Sequence, residues 1–322
     1  VWYAIYERSR KMGRQKMLLE VLPPLDWYKV GTETWGVVVR QVRKTGNWTF
    51  IRSLFLKDKI KKSEVWDSVF KTIRQPAWWM GDSEYHKPAY EEPASLLEKK
   101  LRNGEFVIAT EVSPPLGANP AKIIREIELV RPWVTAVNFT DASSASPKMS
   151  GIACCKVAND LNCEAVFQIA ARDTTRTGLQ SAVIGSGQMG VRNILCVTGD
   201  NPRVGPSPAS DMNFVDVDSV QMLWILRRMR DEGIYLDGRK IKYPPKFFLG
   251  AATTPFASDP ELQAIRDQKK INAGAQFFQT NLIFEPDRLD QWLEQLDKRD
   301  LLDKVYILAG ISPLKSYKIA SI

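Results

Sequence analysis

Residues 106–115 read Phe-Val-Ile-Ala-Thr-Glu-Val-Ser-Pro-Pro. The first five residues have the apolar, branched character of a buried strand. A carboxylate, Glu111, then appears, and two prolines stop the strand. The same pattern, an apolar run ending in a polar residue, repeats along the chain. It predicts strands over 105–111, 134–140, 164–171, 192–198, 247–252, 275–283 and 304–309. Amphipathic stretches lie between them. The run 219–232, SVQMLWILRRMRDE, carries apolar positions at helical spacing. Its start, Asp218-Ser-Val-Gln221, has the form of a capping box. The stretch 285–299 has Pro286 in its first turn. A further helix, 175–189, follows Asp173 and Thr174, both suitable N-caps.

Seven strand–helix units at this spacing argue for parallel strands joined by crossover helices. An open doubly wound sheet would gather its site at one switch point. Here Glu111, Asn138, Thr140, Gln168, Thr198, Asp200 and Asn281 are spread over the C-terminal ends of five strands. That distribution favours a closed (β/α)8 TIM barrel, whose active site is built from that face. A barrel needs eight units and the chain reaches Ile322 in the seventh. The expectation is a barrel over 95–322 lacking its last unit, preceded by a separate module over 1–94. Starting with Val1 rather than Met, the sequence also predicts a natural start further upstream.

Charge supports two unlike regions. Residues 1–104 hold 20 Lys and Arg against 12 Asp and Glu, whereas 105–322 hold 25 of each. Seven of the ten tryptophans precede residue 80. The four cysteines, Cys154, Cys155, Cys163 and Cys196, form no CxxC pair, so no metal or iron–sulfur site is signalled. Unpaired thiols suggest a reducing, cytoplasmic setting. No apolar run approaches the ~18 residues of a membrane span. Gly185-Ser-Gly-Gln-Met-Gly190 spells GxGxxG, but a helix precedes it and a strand follows. That is the reverse of a dinucleotide fingerprint, and it reads as the end of a helix.

Taken alone, Glu111 could pair with a lysine or cap a helix, and Asp200 could be a turn residue. At a barrel mouth they would have different uses. A partly desolvated acid has a raised pKa and suits proton donation. A second carboxylate that stays ionised stabilises developing positive charge. Gly199, before Asp200, permits close approach of the backbone. Lys269 and Lys270 are either a solvated helix face or, in one case, a point charge for a phosphate. The one histidine, His86, lies in a polar linker. Neither Ser/His/Asp nor Cys/His chemistry is signalled.

Seven motifs in order, GEFVIATEVSPP, AVNFTDASSASPKMS, FQIAARDTTR, RNILCVTGDNP, FFLGAATTP, AGAQFFQTNLIF and ILAGISPLKSY, make the region 95–322 resemble methylenetetrahydrofolate reductase. Its forms in acetogenic and other one-carbon-metabolising bacteria are the nearest in style. The resemblance implies a flavin-binding barrel that reduces 5,10-methylenetetrahydrofolate to the 5-methyl compound. It implies that Glu111 is the general acid that opens the folate bridge and that Asp200 stabilises the resulting cation beside the flavin. Asn138, Thr140, Gln168, Thr198, Gly199, Asp200, Ala252 and Lys270 would face the cofactor, with Lys270 on its phosphate. Glu111, Asp200, Asn281 and Tyr317 would face the folate. Gln168 stands where many members have histidine, and Asn138 where many have threonine. Gln279-Thr-Asn281 departs from the family's Gln-Thr-Gln, leaving an amide one methylene shorter toward the pterin.

The resemblance implies FAD ahead of FMN. It leaves the electron donor open between NAD(P)H, which would stack on the flavin, and an electron-carrier protein. It also implies a homo-oligomer or a redox complex. Residues 1–27 resemble the end of a small accessory module whose preceding half, in the family, is a cysteine-rich metal-binding segment. The segment 48–62, WTFIRSLFLKDKIKK, is either an ordinary surface helix or a basic docking face for an acidic carrier protein or a membrane surface. Nucleic-acid binding has the charge but none of the motifs. A non-catalytic scaffold that binds folate or flavin is the alternative to an enzyme.

Overall fold

Parallel strands buried on both faces read as continuous apolar runs rather than alternating ones, and the barrel is built on such runs. The computed structural model describes residues 81–207 and 215–312. Its seven strands are β1 (Ala109–Val112), β2 (Ala136–Phe139), β3 (Ala165–Ala170), β4 (Asn193–Val197), β5 (Phe248–Thr253), β6 (Phe277–Leu282) and β7 (Tyr306–Gly310). All pair parallel in the order β1 to β7. The helices are α1 (Leu96–Arg102), α2 (Ala121–Val130), α3 (Gly151–Asp160), α4 (Arg176–Gln188), α5 (Ser219–Asp231), α6 (Pro260–Asn272) and α7 (Pro286–Asp297). From β1 onward they alternate with the strands. The result is a nearly closed cylinder, seven strands of an eight-stranded (β/α) plan. The predicted features within 1–80, and Tyr317, lie outside the described residues.

The run 105–111, which reads as a buried strand, is only partly one: β1 spans Ala109–Val112, and Phe106 and Ile108 are 90% and 49% exposed. The reason is position: β1 lies at the edge of the described sheet and pairs only with β2. An edge strand is covered on one side and is held by one ladder.

Helix α1 closes the N-terminal end of the cylinder. Its Leu97 is fully buried against Ala136, Val166, Leu195, Phe248 and Phe277, one residue from each of five strands. Ser95 caps it by accepting from the Glu98 N–H at 3.0 Å. Glu164, just before β3, accepts from the N–H groups of Leu96 and Leu97 at 2.6 and 2.9 Å, which places a carboxylate at the positive end of the helix. The rings of Phe248 and Phe277 stack with centroids 4.7 Å apart. Gly250 makes room for them, because a Cβ there would lie 2.4 Å from the Phe277 ring.

Local signals explain the helix boundaries. The predicted capping box at Asp218 and Gln221 is formed, and Pro286 occupies the first turn of α7. The cap of α4 is Thr175, which accepts from the Gly178 N–H at 3.1 Å, rather than Asp173 or Thr174. Asp173 is instead taken by the Arg172 guanidinium. The GxGxxG stretch ends α4, as expected. Gly190 at φ +82 donates to the Gly187 carbonyl, and Val191 donates to the Ser186 carbonyl, the paired bonds that close a helix through a left-handed glycine.

Candidate active site

Side chains two apart in a strand share a face. Ala136, Val166 and Phe277 belong to the packed lumen, so Asn138 and Thr140, Gln168 and Ala170, and Gln279 also point into it, progressively nearer the C-terminal mouth; a register shift in β6 between Gln279 and Leu282 ends the alternation before Asn281. Glu111 is in register with Asn138, and Ala252 with Gln279. Strand periodicity therefore places Glu111, Asn138, Thr140, Gln168 and Ala252 on one interior surface, whereas Asn281 lies in the irregular part of β6 and is exposed.

Above the apolar floor, three amides cross the lumen. Gln168 Nε2 donates to Asn138 Oδ1 at 2.9 Å, and Asn138 Nδ2 donates to Gln279 Oε1 at 2.5 Å. This links β2 and β3 to β6. Asn138 and Gln168 are buried. The Thr140 hydroxyl, also buried, has no hydrogen-bond partner among the described residues, an arrangement that normally signals a missing acceptor or donor.

Glu111 stands at the rim, open to solvent yet flanked by protein. Loss of hydration raises its carboxyl pKa above the ordinary glutamate value, and Lys148 opposes that rise. Lys148 itself donates to Ser143 Oγ at 2.6 Å. The next residue, Ser144, donates its N–H to the Asp200 carboxylate at 2.6 Å. The loop after β2 thus holds Asp200 directly and bears the lysine whose charge acts on Glu111. Its backbone is strained, with Ala142, Ser144 and Ala145 all at positive φ (42°, 57° and 51°).

Two residues that sequence reasoning did not select hold this end of the barrel together. Arg172, whose side chain is 3% exposed, donates to the carbonyls of Ala142 and Asp200 at 3.0 and 3.1 Å and pairs with Asp173. It therefore ties the loops after β2, β3 and β4. Gly199, at φ +84, lets the chain pass Arg172: a Cβ there would lie 3.1 Å from the Arg172 Cβ and 3.2 Å from the Ala170 Cβ. Asp141 accepts from the Ala170 N–H at 2.9 Å, and burial raises its pKa against that hydrogen bond. The aspartate in NFTD and the arginine in ARDTTR were visible in the sequence, but nothing in their spacing paired them with these loops.

Other expected positions are engaged elsewhere. The Thr198 hydroxyl turns away from the lumen toward Ser219 of α5, at 3.3 Å. Lys270 Nζ donates to the Ala252 carbonyl at 2.7 Å and lies 3.5 Å from Asp267. Asp267 is fully buried between helix and wall, accepting from Thr253, Gln263 and Trp292. Asn281 Nδ2 donates to Thr254 Oγ1 at 3.2 Å near the mouth. The four cysteines are buried, and burial pushes the Cys154 thiol up to about 11. Among the described residues no helix is long and apolar enough to cross a membrane.

No curated protein sequence matches the chain. Among solved structures, an uncharacterized protein from Clostridium thermocellum that binds two copies of 5-methyl-5,6,7,8-tetrahydrofolic acid is 17% identical. The alignment covers 70% of this chain and 72% of that one, with a TM-score of 0.47. A 2,3-dimethylmalate lyase is 13% identical over 70% and 76%, at 0.43. The deoxyribose-phosphate aldolase of Aeropyrum pernix is 8% identical over 63% and 75%, at 0.42. Likenesses of that degree bear on neither substrate nor mechanism. The sequence itself is more specific: the family model for methylenetetrahydrofolate reductase matches residues 96–321, most of the chain, and the protein belongs to that family.

Proposed function

We propose that this chain reduces 5,10-methylenetetrahydrofolate to 5-methyltetrahydrofolate at the C-terminal mouth of the barrel. The observation that carries the reading is that two carboxyls follow strand C-terminal ends on one mouth: Glu111, in register with the lumen residue Asn138 and with its pKa raised by burial, and Asp200, held by the Ser144 N–H. Glu111 donates its proton to a nitrogen of the folate bridge. The bond from that nitrogen to the methylene carbon breaks, and its electron pair stays with the protonated nitrogen. The methylene remains on the other nitrogen as a cationic iminium. Asp200, steadied by the Ser144 N–H, supplies the negative charge that favours this cation over the closed ring.

The residues present fit a flavin. An unpaired buried hydroxyl at Thr140 and the amides of Asn138 and Gln168 offer donors and acceptors to a ring bearing carbonyls and N–H groups. Small residues, Ala170, Gly199 and Ala252, leave the adjoining wall low. Reduced flavin, when bound, supplies the hydride that joins the methylene carbon. FAD is the form proposed, with Lys270 exchanging its present carbonyl partner for a phosphate, and Asn281 and Tyr317 facing the pterin. A nicotinamide cofactor or an electron-carrier protein would supply the electrons, in the cytoplasm, with residues 1–94 as a separate module.

The test is spectroscopic. The intact protein, purified or reconstituted with FAD, should show the two visible flavin bands. Anaerobic 5-methyltetrahydrofolate should bleach them by running the reaction in reverse. A flavin that dithionite reduces but 5-methyltetrahydrofolate does not would contradict the reading and favour a scaffold that binds without catalysis.

A further inference from the structure

We infer that Arg172 is a positioning residue that acts through Asp200: its buried guanidinium holds the Asp200 carboxylate in place from both ends. The inference rests on the reading that Asp200 stabilises a cation at the mouth, and it starts from what Arg172 reaches. The Arg172 backbone N–H donates to the Thr198 carbonyl at 3.2 Å, and its Nη1 donates to the Asp200 carbonyl at 3.1 Å. Arg172 therefore grips the chain on both sides of Gly199, the left-handed residue between them. Its Nη2 donates to the Ala142 carbonyl at 3.0 Å. Two residues further on, Ser144 gives its N–H to the Asp200 carboxylate. One side chain thus fixes the backbone that carries the carboxylate and the loop that receives it.

The loop needs such a hold. Ala142, Ser144 and Ala145 lie at positive φ, a region that side chains disfavour and that persists only where the surroundings determine it. A guanidinium can do this because it presents its N–H groups in a rigid planar fork. This one is 3% exposed, and its Nε is paired with Asp173 at 3.0 Å. Charge works in the same direction. Asp173, Asp141 and Asp200 all act on this one cation. Without it the three carboxylates would repel one another, and the exposed Asp200 would swing toward water. The two loops meet again further out, where a Cβ on Gly205 would lie 2.3 Å from the Ala145 carbonyl oxygen, so a shift in one is passed to the other.

The test is a double-mutant cycle on the full-length flavoprotein, read by single-turnover reoxidation of the reduced flavin with 5,10-methylenetetrahydrofolate. Asp200→Asn should slow that step about a hundredfold, the loss expected when one electrostatic partner is removed. Arg172→Met should slow it about tenfold while 5-methyltetrahydrofolate binds within about threefold of wild type. In the Asp200→Asn background, Arg172→Met should cost less than about twofold, because residues acting in one network do not add. Arg172→Lys keeps the cation and gives up the fork. It should show the same pattern at a smaller size, about threefold, and it carries the test if the Met variant does not fold. Amide hydrogen exchange decides the geometry without turnover. Either Arg172 variant should speed exchange at Ser144 about tenfold and leave α5 unchanged. Four results would each overturn the inference: additive losses in the double variant, wild-type rates in both Arg172 variants, rate and binding lost together, or unchanged exchange at Ser144. A wild-type protein whose flavin is never reoxidised would sink the proposed reaction, and the Ser144 exchange would still decide whether Arg172 holds Asp200.

Discussion

Replacing Glu111 with glutamine removes the proton and keeps the shape. If Glu111 is the general acid, the loss falls on ring opening. Positioned proton transfer contributes roughly 10²–10⁴ in rate, or about 3–5 kcal/mol of barrier. The upper part of that range applies where the acid is poised. Burial raises the Glu111 pKa and so keeps a larger protonated fraction near neutrality, although Lys148 offsets part of the rise. The assay is single-turnover reoxidation of the reduced flavoprotein by 5,10-methylenetetrahydrofolate, followed anaerobically. Glu111→Gln should bind 5-methyltetrahydrofolate within about threefold of wild type, since it keeps an amide that hydrogen-bonds, while its reoxidation slows by at least a hundredfold. The wild-type rate should fall as pH rises through the raised pKa, because the acid form is lost, and the residual rate of the variant should not follow that profile. Stability has a matching sign. A carboxyl whose pKa is raised on folding is least costly below its unfolded pKa, and its penalty develops as pH rises through the folded value. Glu111→Gln should therefore be as stable as wild type in acid and more stable at neutral pH. Wild-type reoxidation kinetics in the variant would remove Glu111 from the mechanism.

Three further substitutions probe the frame. Leu97→Ala empties the plug beneath the lumen and should cost about 2–5 kcal/mol in urea unfolding; a cost under 1 kcal/mol, on the order of a surface change, would mean that α1 does not close the barrel. Gly199→Ala forces a Cβ into the left-handed region against Arg172 and Ala170, which should lower stability by about 1–2 kcal/mol and be visible as a lowered Tm. Lys270→Met should weaken FAD about tenfold relative to riboflavin if the lysine serves a phosphate. An equal loss for both flavins would assign it to the wall through the Ala252 carbonyl and Asp267.

The sequence carried the architecture because a buried parallel strand and its crossover helix each leave a periodic trace. Six of the seven described strands stand where the apolar runs put them, β1 begins four residues into its run, and parity alone brings Asn138 and Gln168 to the lumen and Glu111 to its rim. The end of α4 was legible because a left-handed glycine has one common use there. Edges were less legible: nothing in the run from Phe106 to Ile108 says that the strand it leads into has one neighbour rather than two among the described residues. Partnerships across the barrel were not legible at all. Gln279 lies about 140 residues from Asn138, and only closure of the cylinder brings them together. Arg172 reads as one cation among many until three loops fold around it. Thr198 illustrates the converse, since a polar residue at a strand end can face the helix layer and satisfy itself there.

A crystal structure of the protein with FAD and 5-methyltetrahydrofolate bound tests the central claim most directly. The account predicts both ligands in the C-terminal mouth, the flavin beside Asp200 and the amides of Asn138 and Gln168. It predicts the Glu111 carboxyl within hydrogen-bonding reach of a folate bridge nitrogen, about 2.6–3.2 Å or one water away. Ligands seated elsewhere, or a Glu111 carboxyl turned from the folate while Asp200 lies outside the pocket, would contradict it.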